Sequence, residues 1–486
     1  MRDVYLAQAA GPVAAVGIVL LALVLNPFGR LLGLVVTLVG AGLTVPLLLP
    51  EGNRVRLALA AAVGLGVVLV LGAIVRRWPW LLAFLALAAA PARIPVEVGS
   101  TEANLLLPLY LVVGAAVVAL AWSLVQDPPR FRELGPVSWP LAGVAAWLLI
   151  STAWADDHRE ASIDVLFFFV PFAILATALA RLSWSHRQLA WLVRLLGAMA
   201  VLFSVVGIYQ WVAKDVFWNP KVEVGNQFQR FFRVNSLFWD PSIYGRFLVV
   251  AIIVLLAVLL LRREGRWTLP AIGVVAVSCV GLLLSYSQSS FVALGVGVAL
   301  LMLLAWRWRA LVAVALIAAV AAPVAIFAPQ LERARNTIFH DEDGGLDRAS
   351  SGRFDLAKTG VRVAVDQPLL GVGLGGYADA YAAEKGLRRT PDTAASHTTP
   401  VTVAAESGFP GLALWLGLVL TALGSTVWGF GRANQLPRHV AYASGLVFAA
   451  ITVHSLFYSA FFEDPLLWGS LAFLGLARAN RDAPEV

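Results

Sequence analysis

The residues most able to do chemistry lie in the C-terminal half of the 486-residue chain, in or beside one polar segment, residues 329–400. Two histidines, His340 and His397, lie in this segment, and a neutral histidine is suited to accept a proton near pH 7. A loop of about 70 residues between apolar segments is long for a simple connection and favours a functional role. The sequence therefore predicts that the functional site lies around this segment.

Two arginines precede the polar segment. Arg246 lies inside the apolar run YGRFLVVAIIV, where a charge is costly unless it faces a cavity or a partner. The run therefore predicts either a functional role for Arg246 or a salt bridge with Asp240 or Glu463. Arg233 is also a candidate for a functional role. Arg353, within the polar segment, could contact the donor or the acceptor, or only solvent or lipid headgroups.

Glu406 lies about one turn inside the apolar segment that follows residue 400. Gly408 and Pro410 stand beside it, and proline interrupts a helix because it lacks an N–H and clashes with the preceding turn. A break in the helix is therefore expected here. The Glu406 carboxylate could orient His397 or an arginine, or it could form a structural ion pair.

Composition defines the class of protein that must hold these residues. Hydrophobic residues make up 60% of the chain, charged residues 13%, and the mean hydropathy is +0.81. Soluble domains are only about 45–50% apolar, so the excess indicates lipid-facing surface. The single cysteine, Cys279, excludes an intrachain disulfide and a thiolate metal cluster.

Apolar segments of spanning length recur along the whole chain and predict an all-α, polytopic membrane protein with about 12–15 transmembrane helices. One predicted span covers residues 309–328. The predicted organisation has three parts: N-terminal transmembrane helices over 1–328, a large extracytoplasmic loop over 329–400 with short amphipathic helices, and C-terminal transmembrane helices over 401–486.

Arginine-rich turns alternate with turns that lack arginine, and arginine in short loops favours the cytoplasm. The arginine-rich turns fall on one predicted side and include those with Arg76 and Arg77, Arg130 and Arg132, Arg181 and Arg187, Arg432 and Arg438, and the C-terminal tail. The C-terminus is therefore predicted to be cytoplasmic and the 329–400 loop extracytoplasmic. The side of the first two segments stays open.

The run from Gly371 to Gly376, GVGLGG, imitates a dinucleotide-binding fingerprint. It follows no buried strand and opens no long helix, which such a fingerprint requires. The glycines instead predict backbone flexibility for a tight loop that approaches the membrane.

Several motifs together resemble the superfamily of O-antigen ligases and O-antigen polymerases, which are membrane-embedded glycosyltransferases of the GT-C-like type. The motifs are, in chain order, RVNSLFWDPSIYGRFL (233–248), LLLSYSQSSFVAL (282–294), Ser351-Gly-Arg353, DQPLLGVGLGGY (366–377), Ser396-His397-Thr398-Thr399 and Ala405-Glu406-Ser407-Gly408.

The resemblance implies a bacterial inner-membrane enzyme that moves a sugar or glycan from a polyprenyl (di)phosphate-linked donor to a hydroxyl of a glycan or glycolipid acceptor. It implies His397 as general base with Glu406 in support, and inversion of the anomeric centre without metal or cofactor. Arg246, Arg233, Arg353 and Gln288 would bind the donor phosphate. A guanidinium is suited to this because it presents a charged donor fork to phosphate oxygens.

One position departs from the family pattern. The turn over residues 287–290 reads Ser-Gln-Ser-Ser, so Gln288 stands where the family has an arginine. If that arginine contacts a diphosphate, this chain must draw the charge from elsewhere, for instance from Arg246, or must use a donor with fewer phosphates.

A polytopic transporter or a flippase for lipid-linked oligosaccharides is the competing class, because the number of spans suits it equally. Transporters tend to place ionisable groups at the midplane, within repeated halves. Within the enzyme class, the ligase, the repeat-unit polymerase and the transferase that uses a polyprenyl monophosphate sugar remain open.

Overall fold

The fold is known from a computed structural model of the chain. It describes residues 2–48, 54–98, 101–127, 131–217, 219–228, 231–261, 265–306, 309, 353–387, 396–428 and 435–479. The predicted span 309–328 and His340 therefore lie outside the described residues, except for Arg309.

The described chain is helical apart from one hairpin, which confirms the predicted fold class. Its elements are α1 (Arg2–Leu23), α2 (Pro27–Leu48), α3 (Arg54–Arg77), α4 (Leu81–Ala89), β1 (Ile94–Val98), β2 (Thr101–Leu105), α5 (Leu107–Gln126), α6 (Ser138–Ile150), α7 (His158–Ile163), α8 (Val170–Ala180), α9 (His186–Ala213), α10 (Pro220–Phe228), α11 (Pro241–Leu261), α12 (Gly265–Ser285), α13 (Gln288–Trp306), α14 (Arg353–Asp366), α15 (Tyr377–Glu384), α16 (Thr399–Trp428), α17 (Gln435–Ser455) and α18 (Pro465–Ala479). Short 3₁₀ turns flank α6, and a π-helix, Asp164–Phe169, joins α7 to α8.

Eleven helical stretches among the described residues are long and apolar enough to cross a membrane. Two shorter apolar stretches, His439–Ser455 and Pro465–Leu476, lie near the C-terminus. The chain is thus a multi-pass membrane protein. The apolar segment at residues 79–91 forms only the nine-residue α4, which at 1.5 Å per residue is too short to cross a hydrocarbon core of about 30 Å by itself.

The two strands β1 and β2 pair antiparallel directly after α4, with Val98 opposite Thr101. A transmembrane barrel would need many such strands, so the hairpin is a local connection between α4 and α5.

A buried ion cluster ties the first hairpin to the rest of the bundle at one end. The Arg30 Nη1 atom lies 2.6 and 2.7 Å from the two carboxylate oxygens of Glu133, and Arg181 pairs with the same carboxylate. Arg132 donates to the carbonyl of Leu23, at the end of α1, over 3.0 Å. The turn between α1 and α2 therefore lies at the end that carries Arg132 and Arg181, which the sequence alone left open.

The opposite end gathers the polar connections that the sequence predicted to share one side. Trp154 Nε1 donates to the carbonyl of Leu370 over 3.3 Å, which joins the turn after α6 to the segment between α14 and α15. The hydroxyls of Thr402 and Ser459 lie 3.0 Å apart, which joins the start of α16 to the turn between α17 and α18. We call this the loop end of the bundle, and the end with Glu133 the arginine end.

Glu133→Gln is expected to destabilise the protein by about 3–5 kcal/mol, because it leaves Arg30 and Arg181 without a counter-charge in a buried position. Thermal unfolding of the purified protein in detergent measures the effect. Glu223→Gln, at an exposed position on α10, is the matched control and should leave the unfolding temperature unchanged. Equal unfolding temperatures for both variants would mean that the cluster contributes nothing to stability.

Candidate functional site

The break predicted in the helix after residue 400 is present in α16. Gly408 adopts φ +70° and ψ −177°, which no helix contains, and Pro410 follows two residues later. Pro410 has no N–H to offer the carbonyl of residue 406, four positions earlier. A break inside an apolar helix leaves backbone groups without partners, and in a membrane each of these must be satisfied by the protein.

The segment between α14 and α15 supplies those partners. The N–H groups of Val372 and Gly373 donate to the carbonyls of Ala405 and Glu406 over 2.9 and 2.8 Å. In return, the N–H of Phe409 donates to a carbonyl of the same segment, that of residue 368, over 2.8 Å. The loop is thus joined to the broken helix by backbone hydrogen bonds in both directions.

Glycines make this approach possible. Gly371 and Gly373 have φ values of +66° and +90°, in the left-handed region that side chains disfavour. A Cβ on Gly371 would lie 2.4 Å from the carbonyl carbon of Glu406, and one on Gly373 would lie 2.4 Å from the Cα of Ala155. The glycines therefore serve a tight turn, as the sequence predicted, and also close backbone packing against α16 and the turn after α6. We call residues 371–376 the glycine segment.

The Glu406 carboxylate faces the other end of the glycine segment. The backbone N–H groups of Gly375 and Tyr377, at the N-terminus of α15, approach it closely enough to donate to it. Free N–H groups at a helix N-terminus favour an anion there. The structure thus brings Glu406 to α15, and it shows no contact between Glu406 and His397 among the described residues. A supporting role for Glu406 in base catalysis stays a prediction, and any such role would act through the loop.

Arg246 is 3% exposed and faces the turn between α17 and α18. Its Nε lies 2.7 Å from Oδ2 of Asp464, and its guanidinium lies 5.9 Å from the centre of the Tyr458 ring. The sequence had suggested Asp240 or Glu463 as the salt-bridge partner, and the structure corrects this to Asp464. The contact is an ion pair in which the N–H is not aimed at the oxygen, and Nη1 of Arg246 has no hydrogen-bond partner among the described residues.

Among the described residues, Asp240 does not pair with Arg246 but caps α11, because its Oδ1 accepts the N–H of Ser242 over 2.6 Å. Asp464 does the same for α18, where its Oδ1 accepts the N–H of Leu466 over 2.8 Å. Helix starts prefer an aspartate that caps the free N–H groups. The helix that carries Arg246 and the helix that follows its partner are therefore both capped at the loop end.

Arg233 lies half-buried in the segment before α11, and its Nε donates to the carbonyl of Ser285 over 3.2 Å. Burial lowers the pKa of its guanidinium, Asp240 opposes this, and the positive charge of Arg353 adds to it. Arg353 is exposed at the first residue of α14. Arg233, Arg353 and Asp240 are thus close enough to interact electrostatically.

His397 precedes α16 in a strained turn. Its φ of +54° lies in the left-handed region, where residues other than glycine are uncommon and tend to mark functional sites. The turn is held by Ser396, whose hydroxyl accepts the N–H of Thr398 over 3.2 Å and lies 2.5 Å from the hydroxyl of Thr402. The imidazole itself makes no hydrogen bond to the described residues, so its nitrogens are free for a ligand there.

The surroundings of His397 favour its neutral form. Burial lowers the pKa of the imidazole, and the charge of Arg353 lowers it further, while Asp240 opposes both. A base must be unprotonated to accept a proton, so these surroundings suit the predicted role. The same two groups interact with Arg233, which joins His397 and Arg233 in one electrostatic neighbourhood.

The turn before α13 contributes a group of hydroxyls. Ser287 Oγ lies 2.8 Å from Ser290 Oγ, and Ser289 Oγ lies 3.0 Å from Nε2 of His454. These four side chains are buried, whereas Gln288, the first residue of α13, is exposed. Gln288 is thus not buried with the cluster of serine hydroxyls. Its contact with the donor phosphate stays a prediction.

The sequence predicted capping or pairing for Asp464 but did not assign Asp464 or Tyr458 to Arg246. Asp464 stands directly before Pro465 at the start of α18, a pattern typical of a helix start, so this signal was available. Tyr458, in the turn after α17, carries no local signal, because only the tertiary fold brings it to Arg246.

No group of three or more His, Cys, Asp or Glu residues that could hold a metal ion is found in the described parts of the chain. The prediction that the reaction needs no metal stays a prediction.

Residues 273–416 match the family model described as O-antigen ligase, which confirms the resemblance seen in the motifs. The matched range is less than a third of the chain and contains Arg353, the glycine segment, His397 and Glu406. Arg233 and Arg246 precede it, and Asp464 follows it. A search of curated proteins found no match. The chain is thus a multi-pass membrane protein that resembles O-antigen ligases.

Gly373→Ala is expected to push the loop away from the turn after α6, because its Cβ would lie 2.4 Å from the Cα of Ala155. This shift would also disturb the hydrogen bond from the N–H of Gly373 to the carbonyl of Glu406 in the broken helix. Gly386→Ala is the matched control: Gly386 also has a positive φ, +62°, but a Cβ there meets nothing within 4 Å. We expect about 1–2 kcal/mol of destabilisation at Gly386, from backbone strain alone, and a several-fold larger loss at Gly373. Thermal unfolding and limited proteolysis of the loop measure both, and similar losses would show that the close approach is unimportant.

Proposed function

We propose that the protein is a glycosyltransferase that moves a sugar or glycan from a polyprenyl (di)phosphate-linked donor to a hydroxyl acceptor at the loop end of the bundle. The observation that carries the proposal is that His397 shares one electrostatic neighbourhood with Arg233 and Arg353. The imidazole makes no hydrogen bond to the described residues, and its surroundings favour its neutral form. The match to the O-antigen ligase family model supports the same reaction class.

His397 removes the proton from the acceptor hydroxyl as that oxygen attacks the anomeric carbon. The new bond joins the acceptor oxygen to the anomeric carbon, the bond from that carbon to the donor phosphate breaks, and the proton remains on the imidazole. A single displacement of this kind inverts the anomeric centre. A product that keeps the donor's anomeric configuration would contradict this scheme.

The arginines stabilise the departing phosphate, because charge develops on its oxygens as the bond breaks. Arg353 is close enough to lower the pKa of His397, and Arg233 interacts with the same Arg353. Nη1 of Arg246 is a buried donor without a hydrogen-bond partner among the described residues. A buried charged donor without a partner is costly, so a ligand oxygen at this position would be favourable. These three arginines would replace the positive charge of the family arginine, in whose place this chain has Gln288. In this scheme the step needs no metal.

The distribution of buried charge supports an enzyme over the competing transporter. Buried charged residues of the described chain fall into two groups, Arg30 with Glu133 at the arginine end, and Arg246, Glu406 and Asp464 at the loop end. A transporter is expected to hold such groups at the midplane. Transfer of sugar by the purified protein in detergent, where no second compartment exists, distinguishes the two classes.

Orientation follows from the same two ends. Arginine in short turns favours the cytoplasm, so the arginine end and the C-terminus face the cytoplasm of a bacterial inner membrane, and the loop end faces outward. The donor's polyprenyl chain would lie in the membrane, its phosphate at the loop end, and the glycan or glycolipid acceptor would approach from outside.

His397→Asn tests the base. Asparagine tolerates a left-handed backbone, so this variant keeps the turn while it removes the imidazole. Loss of a general base is expected to slow transfer by about 10²–10⁴-fold without a change in unfolding temperature. Transfer is measured with a polyprenyl-diphosphate-linked glycan, and His186→Asn, at the opposite end, should retain wild-type rates. A His397→Asn variant with the wild-type rate would remove His397 from the reaction.

Arg353→Gln tests the electrostatic neighbourhood. Because His397 acts unprotonated, kcat/KM rises with pH through its pKa and then levels off, and the lowered pKa puts this rise below the usual histidine value of about 6.5. Arg353 disfavours the imidazolium, so its removal raises the pKa and moves the rise to higher pH. Lys358→Gln, on the same helix, is the control and should leave the profile in place. An unshifted profile for Arg353→Gln would contradict the coupling.

A further inference from the structure

A cavity of about 460 Å³ lies between helices of the bundle and extends from Arg194 towards Pro465, at the start of α18. Helices α9, α11, α12, α17 and α18 form most of its wall, with contributions from α4 and α8. The wall is mostly apolar, with small residues such as Gly197 and Gly469. Its polar members are Arg194, Thr268, His439, Ser444 and Ser470. A volume of this size falls in the range of about 300–1,000 Å³ that small-molecule sites occupy.

An apolar chain is the occupant that this wall would accept. Water needs several polar partners and does not stably fill an apolar cavity. A void would forfeit van der Waals contacts along the whole wall. In a membrane the available apolar chains are those of lipids, so the cavity suits one chain of a lipid.

Arg194 gives the cavity one charged end. It lines the cavity and is exposed, and its guanidinium lies 4.8 Å from the Trp191 ring centre and 4.5 Å from that of Trp267. No carboxylate of the described residues pairs with it. An arginine in a membrane helix is expected to face a partner. The two aromatic rings contact the guanidinium of Arg194 but carry no negative charge, so they are not a counter-ion.

The depth of Arg194 indicates what that counter-ion is. Trp191 and Trp211 are 20 positions apart on α9, which at 1.5 Å per residue is about 30 Å, the thickness of a hydrocarbon core. Exposed tryptophans mark the two membrane interfaces, so Arg194 lies at the interface of the arginine end. Lipid phosphates lie at this depth.

We propose that the cavity is a binding site for an anionic phospholipid of the leaflet at the arginine end. One acyl chain fills the cavity, and the headgroup phosphate binds Arg194 between Trp191 and Trp267. This site is separate from the donor site, because its charged end lies at the opposite interface. The part of the wall nearest the loop end includes Val250, one turn after Arg246 on α11, and Pro465, directly after Asp464. A bound chain would therefore pack against the two helices that carry or follow the Arg246–Asp464 ion pair.

Native mass spectrometry of the purified, delipidated full-length protein tests the proposal. The probes are palmitoyl-oleoyl phosphatidylglycerol and the phosphatidylcholine with the same chains, which differ only in headgroup. The wild type is expected to bind one phosphatidylglycerol more tightly than phosphatidylcholine. Arg194→Gln should reduce that preference by about tenfold, since it removes a charge-assisted contact, whereas Arg187→Gln, exposed on the same helix, should not.

Gly469→Leu tests the cavity itself, because a Cβ there meets nothing within 4 Å and a leucine side chain would enter the space meant for the acyl chain. It is expected to lose the tight lipid whatever its headgroup. Gly273→Leu, at an exposed position on α12, is the control.

Three outcomes would overturn the proposal. The first is an unchanged headgroup preference in Arg194→Gln. Because Arg194 is exposed, this substitution is not expected to disturb the fold. The second is a tight lipid retained by Gly469→Leu. The third is that polyprenyl phosphate displaces phosphatidylglycerol from the wild type but not from Arg246→Gln. That result would assign the cavity to the polyprenyl chain of the donor. Since these measurements read binding, they stand or fall independently of sugar transfer.

Discussion

The break in α16 imposes the constraint on which the loop end depends. Backbone groups inside a membrane must find partners within the protein, and Pro410 leaves the carbonyl of Glu406 without its helical donor. The glycine segment supplies the missing N–H groups and can do so only because it lacks side chains at the contact. The polar loop is therefore fixed to α16 because it supplies hydrogen-bond partners to backbone groups that the helix break leaves unsatisfied.

The fixed loop then positions the chemistry. The same helix that breaks at Gly408 begins just after His397, and the Glu406 carboxylate faces the N-terminus of α15. Because α14 carries Arg353 and leads into the glycine segment, docking of that segment also sets where Arg353 can approach His397. Loop geometry and charge placement are thus consequences of one set of backbone hydrogen bonds.

Charge in the bundle is handled differently at its two ends. At the arginine end, Glu133 binds both Arg30 and Arg181, so the cluster is internally paired and serves to hold helices together. At the loop end, Arg246 pairs with the carboxylate of Asp464, while its buried Nη1 has no hydrogen-bond partner among the described residues. A paired cluster stabilises a fold, whereas an unsatisfied buried donor is tolerated where a ligand completes it.

The sequence by itself determined the membrane class, the helical fold, the helix break at Gly408 and Pro410, and the family resemblance, because hydropathy, proline chemistry and local motifs act over short stretches of chain. Only the tertiary structure decided that Arg246 pairs with Asp464, that Tyr458 lies beside it, and that Glu406 faces α15. These contacts join residues far apart in sequence, and their partners are chosen by helix packing, which no local pattern encodes.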